Sequence, residues 1–395
     1  MTDESPRSRH DHDRAWRDPA QASSGWPAAD TVDPALFRYS VRGAFWDVLE
    51  AAKATLLVTR EYEHLVIALS SERGLPRISY FPLPHPSGLV SDRTRNIVYV
   101  AATRNPNAIF SFRPTREREM GRALVPVASR YYPGRTYLHD LALVNGALHA
   151  NEVGANAVVR VHDGLEGSLQ RSWWPRCIET RRGPRFDRNY IQLNSIAAGR
   201  SLRESFFTAS ADCIGARRPG HRNFPVDGRG VVFSGATREP ILRGLTRPHS
   251  ARLHARRLFV ANSGYGELGS VSVTRGSAES SRYECIARLN GWTRGLVFIG
   301  NAAIVGTSRV LPRFRSYAPG LDVDTSRCGL HVVDLRSGRI RGSLLWPNGN
   351  QLFALDWMPS RTTLGFPFLA ARRRRERAER QFFFSYQTTT QGAKR

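Results

Sequence analysis

The feature that most restricts the fold is a short strand outline that keeps returning. Residues 245–273, LTRPHSARLHARRLFVANSGYGELGSVSV, open on a polar turn, run into a strand, and reverse at Ala255–Arg257. The chain continues through Leu258–Ala261, turns again at Ser263, Gly264 and Gly266, and enters a third strand. Short strands separated by turn residues make an antiparallel meander. One such meander cannot bury its own faces and needs neighbours of the same kind.

The neighbours are present. The same outline lies over residues 87–112 and 139–161, with turns at Asn145-Gly146 and Gly154–Asn156. It begins again at 193–210 and 293–307, where the third strand is delayed to 230–234 and 329–335, and once more at 353–359. Starts at Gly88, His139, Asn194, His249, Arg294 and Phe353 follow one another at 45–59 residues. That interval suits four-stranded blades with variable loops, so the fold class is all-β, a β-propeller of six blades with seven as the alternative. Residues 55–59 and 64–69 read as strands of the closing blade, because joining the first strand to the last blade removes an open sheet edge. Before them, residues 35–54 carry apolar side chains at helical spacing, at Phe45, Val48, Leu49 and Ala52.

The segments PHSARLHARRLFVANSGYGELGSV, GWTRGLVFIGNAAIVGTSR, CGLHVVDLRSG and FALDWMP resemble an uncharacterised bacterial β-propeller family, domain of unknown function 4915. HDLALVNGALHANE and LNSIA match more weakly, and the resemblance runs from about Lys53 to Pro359. It departs at residues 212–231, a basic, Gly-rich insertion, and in both tails. The resemblance implies a propeller and no particular reaction. The wider kinship to lactonase-like and strictosidine-synthase-like propellers is one of architecture only.

Three regions are expected: a disordered tail over 1–34, one propeller domain over 35–360, and a basic extension over 361–395. The tail is poor in apolar residues, and its HDHD cluster at 10–13 lacks the fixed ligands a metal site needs. The extension packs six Arg into residues 372–380 before an FFFSY run. Of 58 basic residues only Lys53 and Lys394 are Lys, and the formal net charge is +24. Such a charge favours anionic partners. No nucleic-acid-reading motif accompanies it, so nucleic acid is not an expected partner. Cys177, Cys213, Cys285 and Cys328 are too far apart for a zinc motif and read as buried reduced thiols. The first 33 residues are polar and no run approaches a bilayer-spanning length, which points to the cytoplasm.

Chemistry belongs where inner strands converge on the channel. The repeat starts place His85, His139 with Asp140, Asn194 with Ser195, His249 with Ser250, Arg294 and Asp356 there. His139, His249 and Arg294 are the candidate catalytic residues. Asp140, Asn194, Asn262, Glu267 and Asp356 are candidate ligand-binding residues, the third and fourth by way of the Gly-rich turn ANSGYGELG. Two chemistries fit. His139, His249 and Asn194 with a carboxylate would hold a divalent metal that activates water, in a hydrolase or lyase. Alternatively the histidines act as acid and base while Arg294 grips a carboxylate or phosphate. The competing structural reading has both histidines bonding backbone groups of neighbouring blades, and Asn194 closing a turn. No G-x-S-x-G, P-loop or dinucleotide fingerprint is present, which argues against a serine nucleophile and nucleotide chemistry. A small anionic ligand is therefore the leading expectation, with a non-enzymatic scaffold for a protein partner as the alternative.

Overall fold

A computed structural model of the chain describes Ala29 and residues 31–104, 107–116, 122–162, 168–272 and 281–371. The tail at 1–28, its HDHD cluster, and the Arg-rich segment at 372–380 with the aromatics after it lie outside the described residues.

Six antiparallel blades follow one another in chain order, built from consecutive strands except where the first and last blades take in strands from the opposite end of the chain. Blade 1 pairs Leu355–Pro359, Ala54–Arg60, Leu65–Glu72 and Leu75–Pro82, from the axis outward. Blade 2 takes Pro86–Asp92 to Leu124–Tyr131, and blade 3 Leu138–Val144 to Leu169–Trp173. Blade 4 runs from Leu193–Ala197 to Pro240–Leu245, and its third strand is Gly230–Ser234 after the basic insertion. Blade 5 holds Pro248–His254 to Arg282–Arg288, and blade 6 Trp292–Ile299 to Ile340–Leu345. The chain is thus a six-bladed β-propeller, as the repeat predicts. Tight hairpins fix the registers: Asn145 and Gly146 take φ of 50° and 71°, the mirror-image turn whose twist matches the strands.

Apolar side chains fill the spaces between blades. Trp173 stacks on Phe207 at 3.9 Å between blades 3 and 4, and Phe259, Leu268, Leu296 and Val305 meet between blades 5 and 6. Strand Ala54–Arg60 is buried at every position, since it has a blade on both faces.

The ring closes as expected, with Val58 opposite Leu355 and Ala54 opposite Pro359. Two further strands were not legible in the sequence. Ser40–Gly43 adds to the outer edge of blade 6, with Ser40 opposite Leu345, in the stretch that reads as helical. The helix is confined to Phe45–Ala51, where Phe45 and Leu49, one turn apart, are both fully buried. Phe368–Leu369 adds to the outer edge of blade 1, opposite Tyr80 and Ser79. Phe366 beside it is fully buried against Phe112, so residues 361–371 are part of the blade packing. Both additions cover edge strands that would otherwise offer unpaired backbone groups.

The four cysteines are free. Only Cys328 is buried, and burial pushes its thiol up to about 12. Cys213 and Cys285 are exposed, contrary to expectation, the second because it lies on an outermost strand. Among the described residues no helix is long and apolar enough to cross a membrane.

Side chains on the inner strands sew each blade to the next. Asp356 Oδ2 accepts from Ser91 N of blade 2 (2.6 Å), and Ser87 Oγ donates to Leu138 O of blade 3 (2.7 Å). Asp140 Oδ2 accepts from Ile196 N (2.9 Å), Ser195 Oγ from Ala251 N (2.9 Å), and Ser250 Oγ from Gly295 N (2.8 Å). At the last junction Ser308 Oγ, on the second strand of blade 6, completes the circle by accepting from Leu352 N (2.9 Å), just before the inner strand of blade 1. Asp140 also holds Arg252 of blade 5 through two bonds of 2.8 and 3.0 Å, reaching past blade 4. Replacing Asp140 by Ala leaves this largely buried guanidinium unpaired and should cost about 3–5 kcal/mol, whereas the double change Asp140→Leu, Arg252→Met should recover most of it. Urea unfolding of the three proteins measures this. A loss below about 1 kcal/mol, the scale of a surface pair, would show that the bridge holds nothing.

Candidate functional site

The repeat starts at His139, His249 and Arg294 each sit at a break in the ladder register, where a β-bulge re-aims consecutive side chains. In the pairs His139-Asp140, His249-Ser250 and Arg294-Gly295 the second residue meets a neighbouring inner strand. The first lines a cavity of about 720 Å³ at the end of the channel where the inner strands begin. Asp140 and Asp356 do not line it: both are bound to the next blade, and Asp356 also pairs with Arg93 at 2.6 Å. The bridge from Asp140 to Arg252 crosses between non-adjacent blades.

His249 Nδ1 lies 2.8 Å from Arg247 O and 3.1 Å from Ser263 Oγ. A carbonyl only accepts, so the proton sits on Nδ1 and the Nε2 lone pair is left for the cavity. Ser263 Oγ in turn donates to Thr293 O of blade 6 at 2.6 Å. His139 packs edge-on against Phe353 (5.2 Å), and its Nδ1 is buried without a hydrogen-bond partner. Removal from water and the guanidinium of Arg294 hold both imidazoles well below the usual histidine range; the nearby Asn194 offsets this in part at His139. Both rings are therefore neutral at pH 7.

Arg294 is buried and lies over the Phe353 ring, 3.3 Å from its centroid. Its Nη1 donates to the side-chain oxygen of Gln351 (2.9 Å), whose amide nitrogen donates to Glu61 Oε2 (3.1 Å). Its Nη2 is buried with no hydrogen-bond partner. Burial lowers its pKa to about 10, so it stays charged at neutral pH. Burial raises the carboxyl of Glu61, opposed by Arg294 and Arg104. The lining holds five arginines, Arg104, Arg135, Arg247, Arg294 and Arg309, against one carboxylate, Glu61.

Asn194, Asn262 and Glu267 are not on the cavity wall. Asn194 Nδ2 donates to Ser210 Oγ (3.1 Å) and Pro248 O (2.9 Å). Asn262 accepts from Thr246 N (2.8 Å) and donates to Glu267 Oε2 (2.9 Å), which fixes the backbone just before Arg247. Glu267 also meets Arg288 at 3.1 Å.

Sequence reasoning placed His85 at the channel but missed the other members of a second set of lining residues. His85, Tyr137, Gln192 and Arg247 each stand one place before an inner strand, and each has positive φ, between 43° and 52°. Glycine would take that conformation without steric cost. A larger residue there, repeated in four blades and directed to one cavity, marks side chains kept for what they touch. The signal was available as an in-register column of polar and aromatic residues, but its backbone conformation was not. Glu61, Gln351 and the 3₁₀ segment Pro312–Tyr317 come from loops with no repeat to flag them.

Among the described residues no three His, Cys, Asp or Glu side chains are grouped to share an ion. The amide nitrogen of Asn194 is committed to Ser210 and blade 5 while its oxygen has no hydrogen-bond partner, and Arg294 and Arg104 disfavour added positive charge at His139.

Structural comparison finds other propeller-sized chains at low identity. The nidogen/laminin complex contains one with a TM-score of 0.52 and 10% identity, covering 78% of this chain and 99% of that one. A protein of unknown function from Bacteroides caccae gives 0.49 and 9%, covering 77% and 98%. A gluconolactonase from Xanthomonas campestris gives 0.42 and 15%, covering 67% and 77%. At these identities the likeness is one of fold. No curated protein matches the sequence. The family model described as Domain of unknown function (DUF4915) matches residues 43–364, from the strand added to blade 6 through the whole ring. The chain therefore belongs to the DUF4915 family.

Proposed function

We propose that this protein binds a small anionic organic molecule in the cavity at the channel end, with Arg294 as its anchor. The observation that carries the reading is the buried Nη2 of Arg294, which has no hydrogen-bond partner. A charged donor left unsatisfied away from water is costly, and a carboxylate or phosphate oxygen would relieve that cost. Phe353 and Gln351 hold the guanidinium plane in place before any ligand arrives, which lowers the ordering cost of binding. A cavity of about 720 Å³ is in the range that accepts a metabolite-sized molecule.

The neutral rings of His139 and His249 add proton acceptors, and Glu61 a carboxyl whose acidity burial weakens. Proton transfer on a bound anion, without metal, is the chemistry these groups support. His249, its Nδ1–H tied to Arg247 O, presents the Nε2 that would take the proton.

Calorimetric titration with simple carboxylates and phosphate esters tests the anchor. Arg294→Ala should weaken binding at least tenfold, and Arg294→Lys, which keeps the charge but loses the fork, should restore only part of it. Unchanged affinity in Arg294→Ala would remove the proposal. Tyr137→Gly should relieve a positive φ and leave stability equal or up to about 1 kcal/mol higher, while binding weakens. A drop in unfolding free energy instead would mean that Tyr137 serves the fold.

The depressed imidazoles also set a pH dependence. The unfolded chain takes up protons near pH 6.5, while folded His139 and His249, and His331 with a pKa lowered to about 4, resist protonation. Between those values the unfolded state binds more protons, so stability is full above pH 6.5 and declines on acidification. Thermal unfolding from pH 8 to 4 should show that decline, and His331→Gln should make it shallower; a melting temperature flat to pH 5 would contradict the shifts.

A further inference from the structure

Around the cavity, arginines are braced on aromatic rings rather than on carboxylates. Tyr62 of blade 1 lies beneath Arg104 of blade 2 (5.9 Å) and Arg313 (5.6 Å). Arg313 also covers Phe314 at 4.8 Å, Phe314 stacks on Tyr317 at 5.6 Å, and Tyr317 carries Arg247 of blade 5 at 4.2 Å. The result is a continuous arc of cations and rings, organised by the segment Pro312–Tyr317.

Some arginines elsewhere are neutralised by carboxylates, Arg171 by Glu152, Arg200 by Glu204 and Arg243 by Asp212. Among the described residues Arg247, Arg309 and Arg313 have no carboxylate within ion-pair distance, and Arg104 shares Glu61 at 3.4 Å. A ring face holds a guanidinium by its plane and leaves its N–H edges open. Concentrating unpaired cations at one opening raises the local potential for an anion. Arg104, Arg309 and Arg313 are exposed, whereas Arg247, at the far end of the arc, is buried like Arg294, which is 7% exposed.

We infer that the ligand carries at least two anionic groups, one held in the depth by Arg294 and a second held at the mouth by the aromatic-braced arginines. This rests on the anion-binding reading of the cavity and specifies its ligand class as a dianionic or polyanionic small molecule. The arc works as a second clamp, and the separation of the two levels makes the site select ligand length as well as charge.

Calorimetry with α,ω-dicarboxylates from succinate to sebacate, each against the monocarboxylate of equal chain length, tests this on the full chain. One span of lengths should bind at least tenfold tighter as the dicarboxylate, with a steeper loss of affinity on adding salt. Arg313→Ala, an exposed change, should return that dicarboxylate to the monocarboxylate level and leave monocarboxylate affinity within twofold, and Arg313→Lys should retain part of the gain. Monocarboxylates that bind through Arg294 as well as every dicarboxylate does would overturn the second clamp and leave the anchor standing. Failure of both series to bind would overturn the two together. A dicarboxylate advantage that survives Arg313→Ala would place the second group away from the arc and overturn the assignment.

Discussion

The structure depends on hydrogen bonds that cross from one inner strand to the next. A propeller blade is a twisted sheet whose faces are apolar, and apolar packing alone is non-directional. It keeps blades together without fixing their height or rotation. The bonds from Asp356, Ser87, Asp140, Ser195, Ser250 and Ser308 supply that register, one at each junction, with partners inside the ring where water does not compete. At the bulges of blades 3, 5 and 6 the residue fixed to a neighbouring strand and the residue before it are aimed apart. The cavity wall at His139, His249 and Arg294 follows from the sewing of the ring.

The same economy explains the electrostatics. Arg294, His139 and His249 sit within one small volume, and neutral imidazoles next to a buried guanidinium are the state in which that crowding is tolerable. A cation there would have to displace the influence of several arginines, whereas an anion is complementary to all of them. Gln351 and Glu61 relay from the anchor toward Arg104, so the deep group and the outer arc are joined through one polar chain.

Positive φ at His85, Tyr137, Gln192 and Arg247 is the backbone counterpart of this arrangement. Each turn into an inner strand stores some steric cost in order to bring a large side chain to the channel end. Asn262, fixed between Thr246 and Glu267, supports one of these turns from outside the cavity, which accounts for a polar residue that reads as functional but touches no ligand space.

The sequence by itself determined the class of fold, the delayed third strands of blades 4 and 6, and the closing of the first strand onto the last blade, and it narrowed the blades to six or seven, of which the structure has six. Those features rest on local alternation and on turn residues, which a chain displays without reference to its neighbours. It also brought forward the polar column to which His139, His249 and Arg294 belong. It did not separate that column into cavity residues and blade-joining residues, since Asp140 and Asn194 differ from His139 only in which way one strand faces. Nor did it show the edge strands Ser40–Gly43 and Phe368–Leu369, which are too short to carry a period and exist only because an open edge is nearby. Tertiary structure alone decided that Glu61, Gln351 and Tyr317, from loops far apart in the chain, line the same cavity beside its arginines. Their placement is set by the packing of blade against blade, and no local pattern encodes it.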